Sequence, residues 1–147
     1  MSVLGAEAHD HAVSSQPSPA YVCPRCKAPL DALACTPCAV SYAVIAEDIP
    51  CFLPDSPAEG ELGTREIYEE IYRNHQDVWV DQGRSAPFLK YFSELAAAYS
   101  TATVLEIGCG EGAQLAALSA RQKFGIDLSL HALLRARRRS SAACAVA

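Results

Sequence analysis

Val104-Leu105-Glu106-Ile107-Gly108-Cys109-Gly110-Glu111-Gly112, followed by Gly125-Ile126-Asp127-Leu128-Ser129, is the stretch that decides the fold of this 147-residue chain. The first run is apolar and β-branched, then rich in glycine. It reads as a buried strand entering a tight turn. Leu115, Ala116 and Leu118 continue it as a helix, and Gly125 to Asp127 ends a second strand. Glycines at a strand-to-helix turn allow positive φ and let a ligand approach the backbone closely. The following helix presents free N–H groups and a positive dipole end to that ligand. Asp127 lies nineteen residues after Gly108. A carboxylate there can accept hydrogen bonds from both hydroxyls of a ribose.

Gly108, Gly110 and Ala113 formally satisfy the G-x-G-x-x-G/A dinucleotide pattern. The alternating Gly108, Gly110 and Gly112, with Glu106 at the strand end, are more specific. This E-x-G-x-G-x-G run resembles the first motif of class I S-adenosylmethionine-dependent methyltransferases, and Gly125 to Ser129 resembles their second. The resemblance covers residues 65–147. It implies a doubly wound, Rossmann-like α/β domain with S-adenosylmethionine as cofactor. Gly108, Gly110 and Gly112 would then shape the pocket for the methionine part. Glu106 would orient that part, and Asp127 would hold the ribose. The sulfonium is a cation without a pyrophosphate, so acids beside the loop favour it over NAD. Cys109 reads as a small side chain that fits the turn or as a reactive thiol.

Cys23-Pro24-Arg25-Cys26 and Cys35-Thr36-Pro37-Cys38 are two C-x-x-C knuckles separated by eight residues. Two such turns facing each other supply a tetrahedral set of four thiolates, which suits zinc. The surrounding 35 or so residues are too few to bury an adequate core unaided. Ser41 to Ile45 reads as a strand, Glu47 to Pro50 as a turn, and Cys51 to Leu53 as its continuation. Residues 21–54 resemble the Trm112-like zinc ribbons, in which two cysteine pairs precede an Ile-Pro turn. Ala39 departs from that pattern, since such knuckles usually place glycine after the last cysteine. Cys51 is expected to be a core thiol rather than a fifth ligand.

The formal charge is −5, distributed as −4 over residues 1–58, −4 over 59–100 and +3 over 101–147. The acidic front half offers no footprint for nucleic acid. No apolar run approaches the roughly 20 residues that span a bilayer. No basic stretch followed by an apolar one marks a secretory signal. These features point to a cytoplasmic protein with reduced cysteines and no membrane partner. Residues 1–20, rich in Ser, Pro, Ala and His, read as a disordered tail, in which His9 and His11 need no role.

Residues 55–64 hold Pro, Gly and acids and read as a linker. Ile67, Tyr68, Ile71 and Tyr72 recur at helical spacing. Phe88, Tyr91, Phe92, Leu95 and Tyr99 do so after Pro87, taken as a first-turn residue. These two helices would cover the sheet, as core packing or as a lid on the cofactor. His75, Gln76, Asp77, Trp79 and Asp81 lie between them and could face substrate. Leu130, Leu133 and Leu134 begin a helix that ends in Arg135, Arg137, Arg138 and Arg139. Those arginines either complement the helix dipole or form an RNA-facing patch. Residues 142–147 read as a third strand with an unpaired edge.

The domain reading is therefore a tail (1–20), a zinc ribbon (21–54), a linker (55–64) and the N-terminal part of a methyltransferase domain (65–147). The methyltransferase resemblance implies seven strands, and three are legible. Little activity is expected from such a chain alone. No catalytic residue is assigned, and the methyl acceptor is unknown. The competing reading is a zinc-ribbon binding module that partners a full-length methyltransferase through its incomplete sheet.

Overall fold

The computed structural model describes residues 20–54, 61–78, 82–98 and 103–147. The four-cysteine unit consists of two short antiparallel hairpins. In the first, β1 (Ala34–Cys35) pairs with β2 (Val40–Ser41); in the second, β3 (Val44–Ala46) pairs with β4 (Ile49–Pro50). The expected strand Ser41–Ile45 is thus divided between two hairpins. Glu47 and Asp48 join β3 to β4 with φ of 43° and 64°. Two central residues with positive φ match the right-handed twist of the flanking strands.

Helices α1 (Glu61–Asn74) and α2 (Gln82–Ala98) follow. Pro87 lies inside α2 rather than in its first turn. The helix begins more than one turn before it, and at Pro87 it forgoes the bond that proline cannot donate. The expected positions of Trp79, Asp81 and Tyr99, and of the tail to residue 19, lie outside the described residues.

The rest of the chain is a parallel unit. It runs through β5 (Thr103–Ile107), α3 (Ala113–Ala117), β6 (Gln122–Asp127), α4 (Leu130–Ser140) and β7 (Ala143–Val146). The strand order is β5-β6-β7, with Leu105 opposite Phe124 and Phe124 opposite Ala143. The chain is therefore mixed α/β, a three-stranded parallel sheet accompanied by a cysteine cluster. No helix among the described residues is long and apolar enough to cross a membrane.

The free edge is not where the sequence places it. Cys51 forms a parallel bridge with Val146, and the Phe52 amide donates to the Val146 carbonyl at 2.8 Å. The segment leaving the hairpins therefore lines the β7 edge. Ile49 joins Leu115, Leu133 and Val146 in one fully buried core, with Cys51 packed against it. Within the three-stranded sheet, β5 is instead the strand with one neighbour among the described residues. Its Leu105 and Ile107 are 57% and 77% exposed.

The arginines of α4 are committed to internal pairs. Arg137 meets Asp48 at 3.6 Å and Arg138 meets Glu47 at 3.8 Å, both on the β3–β4 turn. Arg135 reaches Glu111 at 2.7 Å, and Arg139 pairs with Asp77. All four thus have intramolecular partners, and Arg138 stays largely exposed beside its own. Asp77 thus has an intramolecular partner in Arg139.

Helix α4 is capped from two directions. The Ser129 hydroxyl accepts from the Ala132 amide at 3.2 Å. Glu69 of α1 accepts from Ser129 Oγ at 2.9 Å and the Leu130 amide at 2.7 Å, and lies 2.8 Å from His131 Nδ1. A carboxylate at a helix N-terminus satisfies orphan donors and favours the dipole. Burial alone would raise the Glu69 carboxyl, but bonds from His131, Leu130 and Ser129 outweigh it and hold it below its ordinary value. Such an acid stabilises the fold above its unfolded titration range and loses that effect as pH falls through its folded pKa. Glu69→Ala should therefore cost about 2–3 kcal/mol at neutral pH, the worth of charged hydrogen bonds. Urea melts should show the difference shrinking on acidification; a constant difference down to pH 3 would contradict the assignment.

Candidate functional site

The first candidate is the thiol cluster. The Sγ atoms of Cys23, Cys26, Cys35 and Cys38 all lie within 4.8 Å of one another. Cys26 and Cys35 are 3.4 Å apart, and Cys23 and Cys38 are 4.0 Å apart. A tetrahedral ion with bonds of about 2.3 Å to sulfur sets sulfur–sulfur distances of about 3.8 Å. The set therefore fits a metal ion, and none of the seven cysteines is in a disulfide. Cys51 is not part of the cluster.

Each knuckle closes with a residue in the left-handed region directly after its second cysteine, Lys27 at φ 63° and Ala39 at φ 51°. The turns are drawn tight by Lys27 N–H to the Cys23 carbonyl at 2.8 Å and Ala39 N–H to the Thr36 carbonyl at 3.2 Å. Cys23 and Cys35 are buried, which shields two of the four sulfurs from water. The Tyr42 hydroxyl lies 3.3 Å from Cys23 Sγ, and its hydrogen bond lowers that thiol to a pKa of about 6. The tyrosine stacks edge-on against Phe52 with ring centroids 5.1 Å apart. Tyr42 and Phe52 thus connect the cluster to the strand that lines β7. Sequence reading missed both, because a tyrosine in a strand carries no ligand signature.

The second candidate is the glycine loop. Gly108, Gly110 and Gly112 all have positive φ, at 69°, 50° and 72°. A Cβ on Gly110 would lie 2.8 Å from the Tyr72 hydroxyl, and one on Gly112 would lie 2.9 Å from Ala136 Cα. Gly112 thus allows α4 to approach the loop, whereas Gly108 has open space around it. Asp127 reaches back to the loop. Its Oδ2 accepts from the Gly110 amide and its Oδ1 from the Ser129 amide, both at 2.9 Å. The carboxylate therefore fixes the turn, and each oxygen retains a lone pair.

A cavity of about 580 Å³ opens beside this turn, lined by Tyr68, Tyr72, Ile107, Gly108, Ile126, Asp127, Leu128 and Ala147. Gly108 and Asp127 thus share one cavity, at the carboxyl ends of neighbouring parallel strands. Gly110 and Gly112 are buried behind it. Tyr68 and Tyr72 form its helical wall; their spacing announces a helix, not a pocket. The α3 helix has only five residues, so the loop and Asp127, not a helix dipole, define the site.

Three acids gather at the loop. Glu106 is pushed up to a pKa of about 7, by burial first and then by the nearby Asp127, although the Leu115 amide donates to it. Its Oε2 is buried without a partner. Glu111 is buried, and its Oε1 is held by Arg135 at 2.7 Å while its Oε2 has no partner. Cys109 is also buried, and burial raises its thiol well above the ordinary range. It packs where Gly125 lacks a Cβ, since an added one would lie 2.8 Å from its Sγ. That is the small-side-chain reading; a protonated buried thiol is a poor nucleophile.

No protein-family model and no curated protein matches the chain.

Ala39→Gly should stabilise the metal-loaded protein by about 1 kcal/mol, by removing the left-handed strain of a residue with a Cβ. Thermal melts of the zinc-loaded variant test this, and a lower midpoint would contradict it. Glu106→Gln has a pH signature. A carboxyl raised in the folded state penalises folding once the unfolded state ionises. The penalty therefore grows from about pH 4.5 to pH 7 and stays constant above. The variant should match wild type below pH 4.5 and exceed it by about 1–2 kcal/mol at pH 8, after allowance for solvent screening. Equal stabilities across that range would contradict the buried-acid assignment.

Proposed function

We propose that this chain is an S-adenosylmethionine-binding unit of the class I methyltransferase type, with a Rossmann-like sheet and a zinc-stabilised ribbon at its N-terminal side. The observation that carries the reading is the cavity shared by Gly108 and Asp127, with the Asp127 carboxylate bonded to the glycine turn. Two features favour a cationic ligand over a dinucleotide. Among the described residues, the cavity lining contains a carboxylate and no basic side chain. Arg135 beside the loop is bonded to the buried Glu111 and so is not free to meet a pyrophosphate.

Asp127 would accept from ribose hydroxyls with its remaining lone pairs. Gly108 would let the ligand lie against the backbone, and Tyr68 and Tyr72 would exclude water along one wall. The bound cofactor would supply a methyl group activated on a sulfonium. This chain's residues would bind and orient, which is the principal catalytic need of methyl transfer. None is assigned as a general base. Zinc would be held by Cys23, Cys26, Cys35 and Cys38, where it contributes folding energy rather than chemistry.

A second reading has its own observation. The β5 edge and the exposed Leu105 and Ile107 suit a module that docks on another protein, such as a full-length methyltransferase.

NMR titration distinguishes the ligands. S-adenosylmethionine should shift Gly108, Asp127 and Ala147 with a dissociation constant on the order of 1 mM or weaker, and NAD should not. Asp127→Asn should weaken binding about tenfold or more, the loss of a charged acceptor worth about 1.5–3 kcal/mol. Unchanged affinity in a variant with an intact loop would remove Asp127 from the site.

A further inference from the structure

A second cavity, of about 540 Å³, lies between the first knuckle, the Cys51–Pro54 segment and α1. Its apolar lining includes Tyr42, Ile45, Phe52 and Leu53, and among the described residues its charged ones are Arg25 and Arg65. Neither arginine has an ion-pair partner among the described residues, whereas all four arginines of α4 are paired. Two unpaired guanidiniums beside an aromatic lining, in a chain of net charge −5, form a local anion-attracting site. Its volume falls within the range of about 300–1,000 Å³ typical of small-molecule sites.

We infer that this cleft binds a small amphipathic anion, a carboxylate or phosphate carried on an aromatic or apolar body. The guanidiniums take the anionic group in bidentate hydrogen bonds. The body lies against Tyr42, Phe52 and Leu53. The cleft offers two basic groups, which suits one small anion better than a phosphate backbone read over many contacts.

Helix α1 and the Phe52 bond connect the elements that line this cleft and the glycine-loop cavity. Arg65 lines one, and Tyr68 and Tyr72 line the other, at positions three and seven further along one face of α1. Phe52 of this cleft is bonded to Val146, next to Ala147 of the other cavity. The assignment of the cleft stands on its own residues and goes beyond the cofactor reading.

The test uses the full zinc-loaded chain and three probes of one shape: phenyl phosphate, neutral benzyl alcohol and cationic phenyltrimethylammonium. Phenyl phosphate should give saturable shifts at Tyr42, Phe52, Leu53 and Arg65, and the other two should bind at least tenfold more weakly. Arg25→Gln with Arg65→Gln should reduce phenyl phosphate binding at least tenfold and leave benzyl alcohol unchanged. The double lysine variant should retain part of the affinity, which separates charge from folding. Equal phenyl phosphate affinity in the glutamine variant, or shifts confined to Leu105 and Ile107, would overturn the proposal. So would displacement of the probe by hexauridylate at lower concentration, which would identify an RNA surface. Binding of phenyl phosphate without any response to S-adenosylmethionine would support the cleft and count only against the cofactor reading.

Discussion

The structure depends on the bond from the Phe52 amide to the Val146 carbonyl, and on the strand bridge beside it. A parallel strand with one neighbour exposes a row of unpaired donors and acceptors. Here the segment leaving the hairpins occupies that row at β7. It also brings Ile49 into the core against Leu133 and Val146. The hairpins and the sheet thus share buried surface, and Arg137 and Arg138 hold the intervening turn to α4. A unit with short two- and three-residue strands gains little from its own ladder. Its order comes from the four sulfurs on one side and from β7 on the other.

The same organisation positions both cavities. Helix α4 meets the glycine loop at Gly112, and Glu69 ties α1 to the start of α4. That bond sets Tyr68 and Tyr72 over the carboxyl ends of β5 and β6. Asp127 then locks the turn from the strand end. Buried acids without full partners, Glu106 and Glu111, cost stability. Groups of this kind cluster at binding sites, because a ligand can supply the missing donor.

What the sequence made legible was local. The knuckles are read from cysteines three apart, and the loop from glycines two apart. Asp127 was placed beside the loop by a strand-turn-helix-strand unit spanning about twenty residues, whereas its bonds to the Gly110 and Ser129 amides were not foreseen. The left-handed position at Ala39 was legible from the turn alone. The rest joins residues about 60 to 95 apart, such as Glu69 with Leu130 and Phe52 with Val146. Such pairs leave no period or spacing. The arginines at 135–139 illustrate the limit. Their density suggested a surface patch, while their partners lie on three separate segments. The β7 edge was misplaced for the same reason, since nothing local in Cys51-Phe52-Leu53 names its partner strand.

The most direct measurement is amide hydrogen exchange at Phe52, in the metal-loaded chain and after chelation under reducing conditions. If four thiolates around a metal hold the segment that lines β7, removing the ion should strip Phe52 of its protection. The amides joining β5 to β6 should then lose less. Equal Phe52 protection with the four thiols free would contradict a metal-held edge and leave the sheet to hold the hairpins, rather than the reverse.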